Sequence, residues 1–557
     1  MNNLGKKNDM REIMYFVLFV FFIIPLTKLE AKNKDFDYYL TGLPFKMPKI
    51  ELPVFPEKTF NILDYGANGN GQVLNTDVFK KTIEACSKAG GGTVLVPPGV
   101  WLTGPIQLQS NINLHLEKGA LILLSRNHED YPIIKYPRSS KYSAASPVYG
   151  FNLENIAITG EGIIDGSGYT WRPVKKSKTT VSQWRGLLAS GGVVSSDGQM
   201  WWPSKEAMDG EAYLKKMESE NKKLTPEDYL PARDFLRPYM ILLINCKNVL
   251  LDGPTFENSP KFVFYPNRCE NVVIRNIKVL NEWYAQNGDG IDISACKNVL
   301  IYNCTLSVGD DGICMKSSKS SRDGNEAALQ NIVIADCVVY HAHGGFVIGS
   351  NTDGGMKNIS VKNCNFIGTD IGLRFKSVRG KGGLVEDIYV DNIFMKDIVN
   401  QAILFDTYYE VSQKEGEEQK VEVNDKTPRF QKFYISNVIC NGAKNAVAIT
   451  GLPEMPIKDI NLKNITISAK TGFASKEAEN INLANVKIYP SKGAVYTLEN
   501  SKNFIFDNVL CPQGTNVFMK LDGKETGNIQ IKNSDLVPAK TPIEYGKDVK
   551  QDAVIKN

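Results

Sequence analysis

The chain has no long block of charge of one sign. Its 65 Lys and Arg face 61 Asp and Glu, a net charge of +4. A nucleic-acid surface shows a concentrated basic stripe, so that class is set aside. No CxxC pair occurs among the ten cysteines, which removes the usual zinc-ligand spacing. Beyond the N-terminus no apolar run reaches the roughly 20 residues that a membrane helix needs. What is there is an ordinary globular balance: 557 residues, 42% hydrophobic and 23% charged. That balance excludes a mostly disordered chain and a multi-span membrane protein.

The N-terminus reads as an export address. Lys6, Lys7 and Arg11 precede a 14-residue apolar run at 13–26, the basic and apolar regions of a secretory signal. The small-residue site at Leu29-Glu30-Ala31 predicts a signal peptide over 1–31, followed by an N-terminal extension over 32–60. No Cys stands at the junction, which argues against a lipoprotein. The mature protein is expected to be exported, periplasmic or secreted, with no membrane attachment after cleavage. Export permits disulfides. Several cysteines recur at one place in a repeat, however, and are expected to pack as small apolar groups in a stack.

That repeat decides the fold. One phrase returns as Lys247-Asn248-Val249, Glu270-Asn271-Val272, Lys297-Asn298-Val299, Gln330-Asn331-Ile332 and Lys357-Asn358-Ile359. Degenerate copies follow at Asp387, Asp459, Asn480, Asn503 and Asn528, mostly 21 to 33 residues apart. Each opens an alternating Val/Ile run, the mark of a strand. A second Asn, such as Asn276 or Asn464, marks a bend, since Asn tolerates the left-handed conformation. Strands and turns at this period, with no helix inside it, predict an all-β, right-handed parallel β-helix of about ten coils. Such coils cannot bury a face alone and must stack.

The predicted catalytic domain spans 61–540, with 541–557 as a C-terminal tail. FKKTIEACSKA, beginning at Phe79, predicts a short N-terminal helix that caps the open end of the stack. A long excursion at 166–238 interrupts one coil and holds Trp171, Trp184, Trp201 and Trp202, four of the six Trp. Two readings stand: a lid whose Trp stack on sugar rings, or an accessory flap away from any site.

A pattern of Gly-apolar-X-apolar-X recurs from Gly290, Gly312, Gly345 and Gly372, and from Ala402. Its X positions are expected to face solvent, because side chains alternate along a strand. In this frame Asp289 and Asp311, 22 residues apart, stack on neighbouring coils. Asp310 and His343 take equivalent places, and Arg374 and Lys376 follow on a later coil. Three carboxylates, an imidazole and two cations thus converge on one strip. Stacked carboxylates repel, and a cluster that shifts pKa values is a mark of acid–base catalysis. A solvated charged face and a calcium site are the weaker readings, because the strip also carries cations and a His.

Asn287-Gly288-Asp289, Gly309-Asp310-Asp311, His343-Gly344 and Arg374-Phe375-Lys376 resemble, in order and spacing, the four motifs of the polygalacturonases, glycoside hydrolase family 28. Their usual forms are Asn-Thr-Asp, Gly-Asp-Asp, Gly-His-Gly and Arg-Ile-Lys. Gly288, Ala342 and Phe375 depart from the pattern and remove no catalytic group. The resemblance implies hydrolysis of the α-1,4 bonds between galacturonic acid residues of pectin. It implies Asp310 as general acid, Asp289 and Asp311 as the base pair and His343 as support for the acid. It implies a substrate-binding set of Arg374, Lys376, Asn287 and Tyr409, with Tyr408 as the alternative to the last. No metal or organic cofactor is implied, and the partner is a pectic polysaccharide or oligogalacturonide.

On the same reading two carboxylate neighbours raise the pKa of Asp310, and inversion goes with carboxyls about 6.5–9.5 Å apart. The excursion, with Arg172, Lys175, Lys176 and Lys178, is expected to wall one end of the groove and give exo action on the non-reducing end. Rival readings are a rhamnogalacturonan or xylogalacturonan hydrolase of the same family, a calcium-dependent pectate lyase, and a non-catalytic β-helical glycan-binding protein.

Overall fold

A computed structural model describes residues 36–220, 223–319, 326–411 and 419–556. The expected signal peptide lies outside them. The chain divides into two units, 1–41 and 42–557. The first contains the helix Phe36–Leu40; the second is the β-helix.

Its strands form one 24-stranded and one 14-stranded sheet, paired in parallel from coil to coil. The register follows the repeat: Val249 opposes Val272, Val272 opposes Val299, Val299 opposes Ile332 and Ile332 opposes Ile359. These residues are all buried, so each apolar position becomes a column through the core. The Asn of the phrase turns each corner at positive φ, for example +55° at Asn248 and +58° at Asn298. Its amide then bonds the Asn one coil below. Asn271 donates to Asn248 at 3.0 Å, Asn298 to Asn271 at 3.2 Å and Asn331 to Asn298 at 3.1 Å. The second Asn builds its own ladder, with Asn464 donating to Asn437 and Asn485 to Asn464, both at 2.9 Å.

All ten cysteines are buried and free. The Cys246 N–H donates to Cys269 Sγ and the Cys269 N–H to Cys296 Sγ, the stack that the repeat predicts. The capping helix forms over Thr76–Lys88 and inserts Phe79, Ile83 and Cys86 into the core.

The structure corrects three expectations. The smaller sheet alone has 14 rungs, more than the ten coils counted from the phrase. The phrase also stands at Ser110-Asn111-Ile112 and Glu154-Asn155-Ile156, where Asn155 donates to Asn111 at 3.0 Å and Asn248 to Asn155 at 2.9 Å, so the ladder begins before the first copy counted. Residues 541–556 are not a tail: Thr541–Tyr545 and Val554–Lys556 add strands to the two sheets. The X positions of the central coils are not open to solvent either. Asp292, Cys314 and Val347 are fully buried.

Candidate active site

The site forms where the turns of four neighbouring coils feed the smaller sheet. Ile291 pairs with Ile313, which sets Asp289 beside Asp311, and the Gly290 N–H donates to Asp311 O at 3.0 Å. Asp311 pairs with Gly344, which sets Asp310 beside His343, and the His343 N–H donates to Asp310 O at 2.8 Å. Each of Asp289, Asp310 and Asp311 offers an oxygen within 4.8 Å of the others. Such a trio could hold a cation by geometry alone. Lys316, Arg374 and Lys376 stand within ion-pair distance of the trio and His343 bonds Asp310, which is the arrangement of an acid–base site.

Each carboxylate has a different environment. Asp311 is clamped: Lys376 Nζ donates to Oδ2 at 2.8 Å and Arg374 Nη1 to Oδ1 at 3.2 Å. Burial pushes its pKa up, but the Lys376 and Arg374 charges outweigh burial and hold it well below the usual carboxylate range. Asp289 is buried with an unpaired Oδ1. Burial, then the charges of Asp292 and Asp310, push its pKa well up, against the pull of Lys316 at 3.5 Å. Lys316 also pairs with Asp292, whose carboxyl burial raises to about 6.

Asp310 departs from expectation. Burial and the Asp311 charge do raise its pKa, but the hydrogen bond from His343 and the nearby charge of Lys178 bring it below the ordinary value. His343 Nδ1 stands 3.0 Å from Asp310 Oδ1. Lys178 Nζ lies 2.7 Å from His343 Nε2 and donates to Gly309 O at 2.9 Å. An ammonium can only donate, so Nε2 accepts and the ring proton sits on Nδ1, aimed at Asp310. Asp310 Oδ1 also accepts from the Asp311 N–H at 3.1 Å. Among the described residues no hydrogen bond reaches Oδ2, the oxygen left to carry a mobile proton.

The departures from the usual motifs have local causes. A Cβ at Gly288 would meet Ala285 Cβ at 2.8 Å. Ala342 is fully buried, and Phe375 packs on Phe405 with ring centroids 4.5 Å apart.

Tyr409 is the tyrosine at the site: Lys376 Nζ stands 4.7 Å and Arg374 5.4 Å from its ring centroid. Tyr408 is buried under Arg379 instead. Asn287 has φ +53° and accepts from Arg237 Nη2 at 2.9 Å.

The excursion lies against the site and not away from it. Besides Lys178, Arg172 reaches Ser259 O at 2.7 Å and pairs with Glu282. Arg172 is thus a buried strut, not a free cation for substrate. Trp171 is buried against His128, with centroids 3.5 Å apart. Trp201 is buried with its Nε1 bonded to Gly191 O. Neither ring is free to stack on a sugar. Trp184, beside Lys176, and the exposed Trp283, on the turn that leads to Asp289, remain accessible to one. The repeat pattern did not single out Lys316, Asp292, Arg237, Lys261 or Trp283. Arg237 and Lys261 come from turns outside the Gly-apolar frame, whereas Asp292 and Lys316 hold X positions within it, where their pairing is the signal that could have found them.

The family model for glycosyl hydrolases family 28 matches residues 174–488. An exo-poly-alpha-D-galacturonosidase of Dickeya chrysanthemi is 28% identical over 469 residues, covering 80% of this chain and 74% of its own. The structure of a hyperthermoactive exopolygalacturonase from Thermotoga maritima is 30% identical and covers 81% of this chain and 93% of its own, with a TM-score of 0.61. The family 28 exopolygalacturonase of Yersinia enterocolitica has the same TM-score at 21% identity, covering 87% and 80%, a likeness of fold.

Proposed function

The chain belongs to glycosyl hydrolases family 28, and on that premise we propose that it removes galacturonic acid from the end of galacturonan chains with inversion at the anomeric carbon. The observation that carries the reading is the trio Asp289, Asp310 and Asp311, within 4.8 Å of one another and flanked by Arg374 and Lys376. Arg offers a fork and Lys a point charge to a sugar carboxylate, and Tyr409 backs both cations.

Asp310 Oδ2 gives its proton to the glycosidic oxygen as the bond to the anomeric carbon breaks. Water attacks that carbon from the opposite face and loses a proton to the Asp289–Asp311 pair. Asp311 has both oxygens held by cations, which makes it a poor covalent nucleophile and supports a water-mediated route. In the free site Asp289 is the more basic carboxylate and Asp310 the less. Catalysis needs the reverse: a proton on Asp310 and an ionised Asp289. A galacturonate carboxylate entering beside Asp310, with water expelled, raises the pKa of Asp310 by like charge and desolvation.

Exo action is supported by the excursion at 166–238, which reaches the groove through Lys178 and Arg237, and by the exo-acting relatives. The mature protein is exported, a reading supported by Lys6, Lys7, Arg11 and the apolar run after them. N-terminal sequencing of the exported protein tests it.

Digestion of a long galacturonan tests the function. Monomer as the early product, with viscosity nearly unchanged and the β-anomer appearing first by proton NMR, is the expected outcome. Mixed oligomers with a steep fall in viscosity would refute exo action, and the α-anomer would refute inversion.

A further inference from the structure

A second pair of cations lies on the other side of Asp289, and the mechanism above does not use it. Arg237 stands where the excursion rejoins the coil. It donates to Gln286 O at 3.0 Å and to Asn287 Oδ1 at 2.9 Å, so its guanidinium lies on the turn that carries Asp289. Lys261 is on the next coil, two residues before Val263, whose N–H donates to Asp289 O at 2.9 Å. Its ammonium sits over Tyr239 at 4.8 Å and Phe262 at 5.5 Å from the ring centroids.

Neither cation has a carboxylate within ion-pair distance among the described residues. Their neighbour Lys316, by contrast, is neutralised by Asp292 and Asp289. Burial brings Arg237 down to about 10 and Lys261 to about 8. Both side chains are half-buried, and a charge withdrawn from water is usually paired. Two such cations beside a catalytic carboxylate form a site suited to an anion.

The order of the coils fixes the geometry. Lys261 precedes Asp289, then come Asp310 and Asp311, then His343, then Arg374 and Lys376. Arg374 and Lys376 reach back to Asp311, while Arg237 leans onto the turn of Asp289. The carboxylates therefore stand between two cation pairs, and galacturonan carries one carboxylate on each ring. We infer that Arg237 and Lys261 bind the carboxylate of the galacturonide ring across the scissile bond from the ring held by Arg374 and Lys376. The inference rests on the galacturonan reading. It makes the site select for free acid on both sides of the cut.

Binding tests it without needing turnover. In an Asp310→Asn background, the Kd is measured for trigalacturonate and for its three isomers methyl-esterified on a single ring. Lys261→Met is expected to weaken binding of the free-acid trimer about ten- to hundredfold, the usual worth of a charge-assisted hydrogen bond. That penalty should vanish for one isomer. The Lys376→Met penalty should vanish for a different isomer, and Lys261→Arg should restore binding. Unchanged trimer affinity in a folded Lys261→Met protein, or the same isomer silencing both substitutions, would overturn the inference. Failure of the galacturonan reading would show separately, as intact trimer after incubation with the unsubstituted enzyme.

Discussion

The coils around Ile457–Pro490 and those around Asn281–Lys376 follow one backbone path and use their turns for opposite ends. In the first region the strands Ile457–Ala469 and Ala478–Pro490 pair in unbroken register. Asn480 donates to Asp459 at 3.0 Å, and Ile460 and Ile481 are buried in the core. On the facing sheet Lys476 and Glu499 pair in water, 28% and 43% exposed, where such a pair contributes about 0–1 kcal/mol. In the second region the same kind of ladder continues through Asn298 and Asn331. The facing sheet, however, buries Asp289, Asp292, Asp311 and Lys376. Buried ion pairs often fail to recover their desolvation. The difference teaches a division of labour. The columns and ladders of the large sheet supply the stability that lets the small sheet hold charges out of water.

The sharpest way to break this comparison is Asp310→Asn. It should lower kcat by roughly 10²–10⁴-fold, the usual range for a general acid, and leave the circular dichroism spectrum intact. Near-normal turnover in a folded protein would remove the acid role from Asp310. The mirror experiment is Asn464→Ala, in the regular region. It leaves Asn437 and Asn485 short of a partner and puts Ala at φ +56°, a cost of about 2–4 kcal/mol in a urea melt. kcat/KM at 25 °C should stay unchanged; an activity loss in the folded protein would mean that the two regions are not separable.

Lys178→Met gives a smaller, directional effect. The charge of Lys178 helps hold Asp310 below its ordinary value. Removing that charge raises the pKa of the acid, so its proton survives to higher pH. The alkaline limb of kcat/KM should therefore move upward in pH, while a limb that stays in place or moves downward would show that Lys178 does not govern the acid. The smallest effect is a null one: with ten free thiols, a reducing agent should not shift the thermal midpoint, and a drop would reveal a disulfide.

Much of this was legible because the repeat does two jobs at once. Asn298 and Val299 announce a corner and a core position, and the fixed period then tells which polar residues share a strip. That is why the period alone brings Asp289, Asp310, Asp311, His343, Arg374 and Lys376 together. The number of coils is undercounted from the phrase after the excursion, since Asn111 and Asn155 carry it before the excursion and Lys432 turns its corner without an Asn. The partners of Lys178, Arg237 and Arg172 were not legible, since they depend on how a non-repetitive excursion folds back. The Asp310 shift runs opposite to the expectation for a related reason. Its two carboxylate neighbours were visible in the period, whereas the Lys178 that reaches its His comes from outside it.

The excursion leaves and rejoins the stack at secured points. The Gly166 N–H donates to Glu257 O, and the Met240 N–H to Phe262 O. Its two ends are thus bolted to the same neighbouring coil, whatever lies between them. Loop-closure entropy grows only with the logarithm of length, about 0.6 kcal/mol per doubling. The wall of the groove is therefore an exchangeable module: a shorter or differently shaped piece could be spliced between these two bolts without resetting the register of any coil. Such an exchange would also take away Lys178 and Arg237, which reach His343 and Asn287, so the wall and the support of the acid change together.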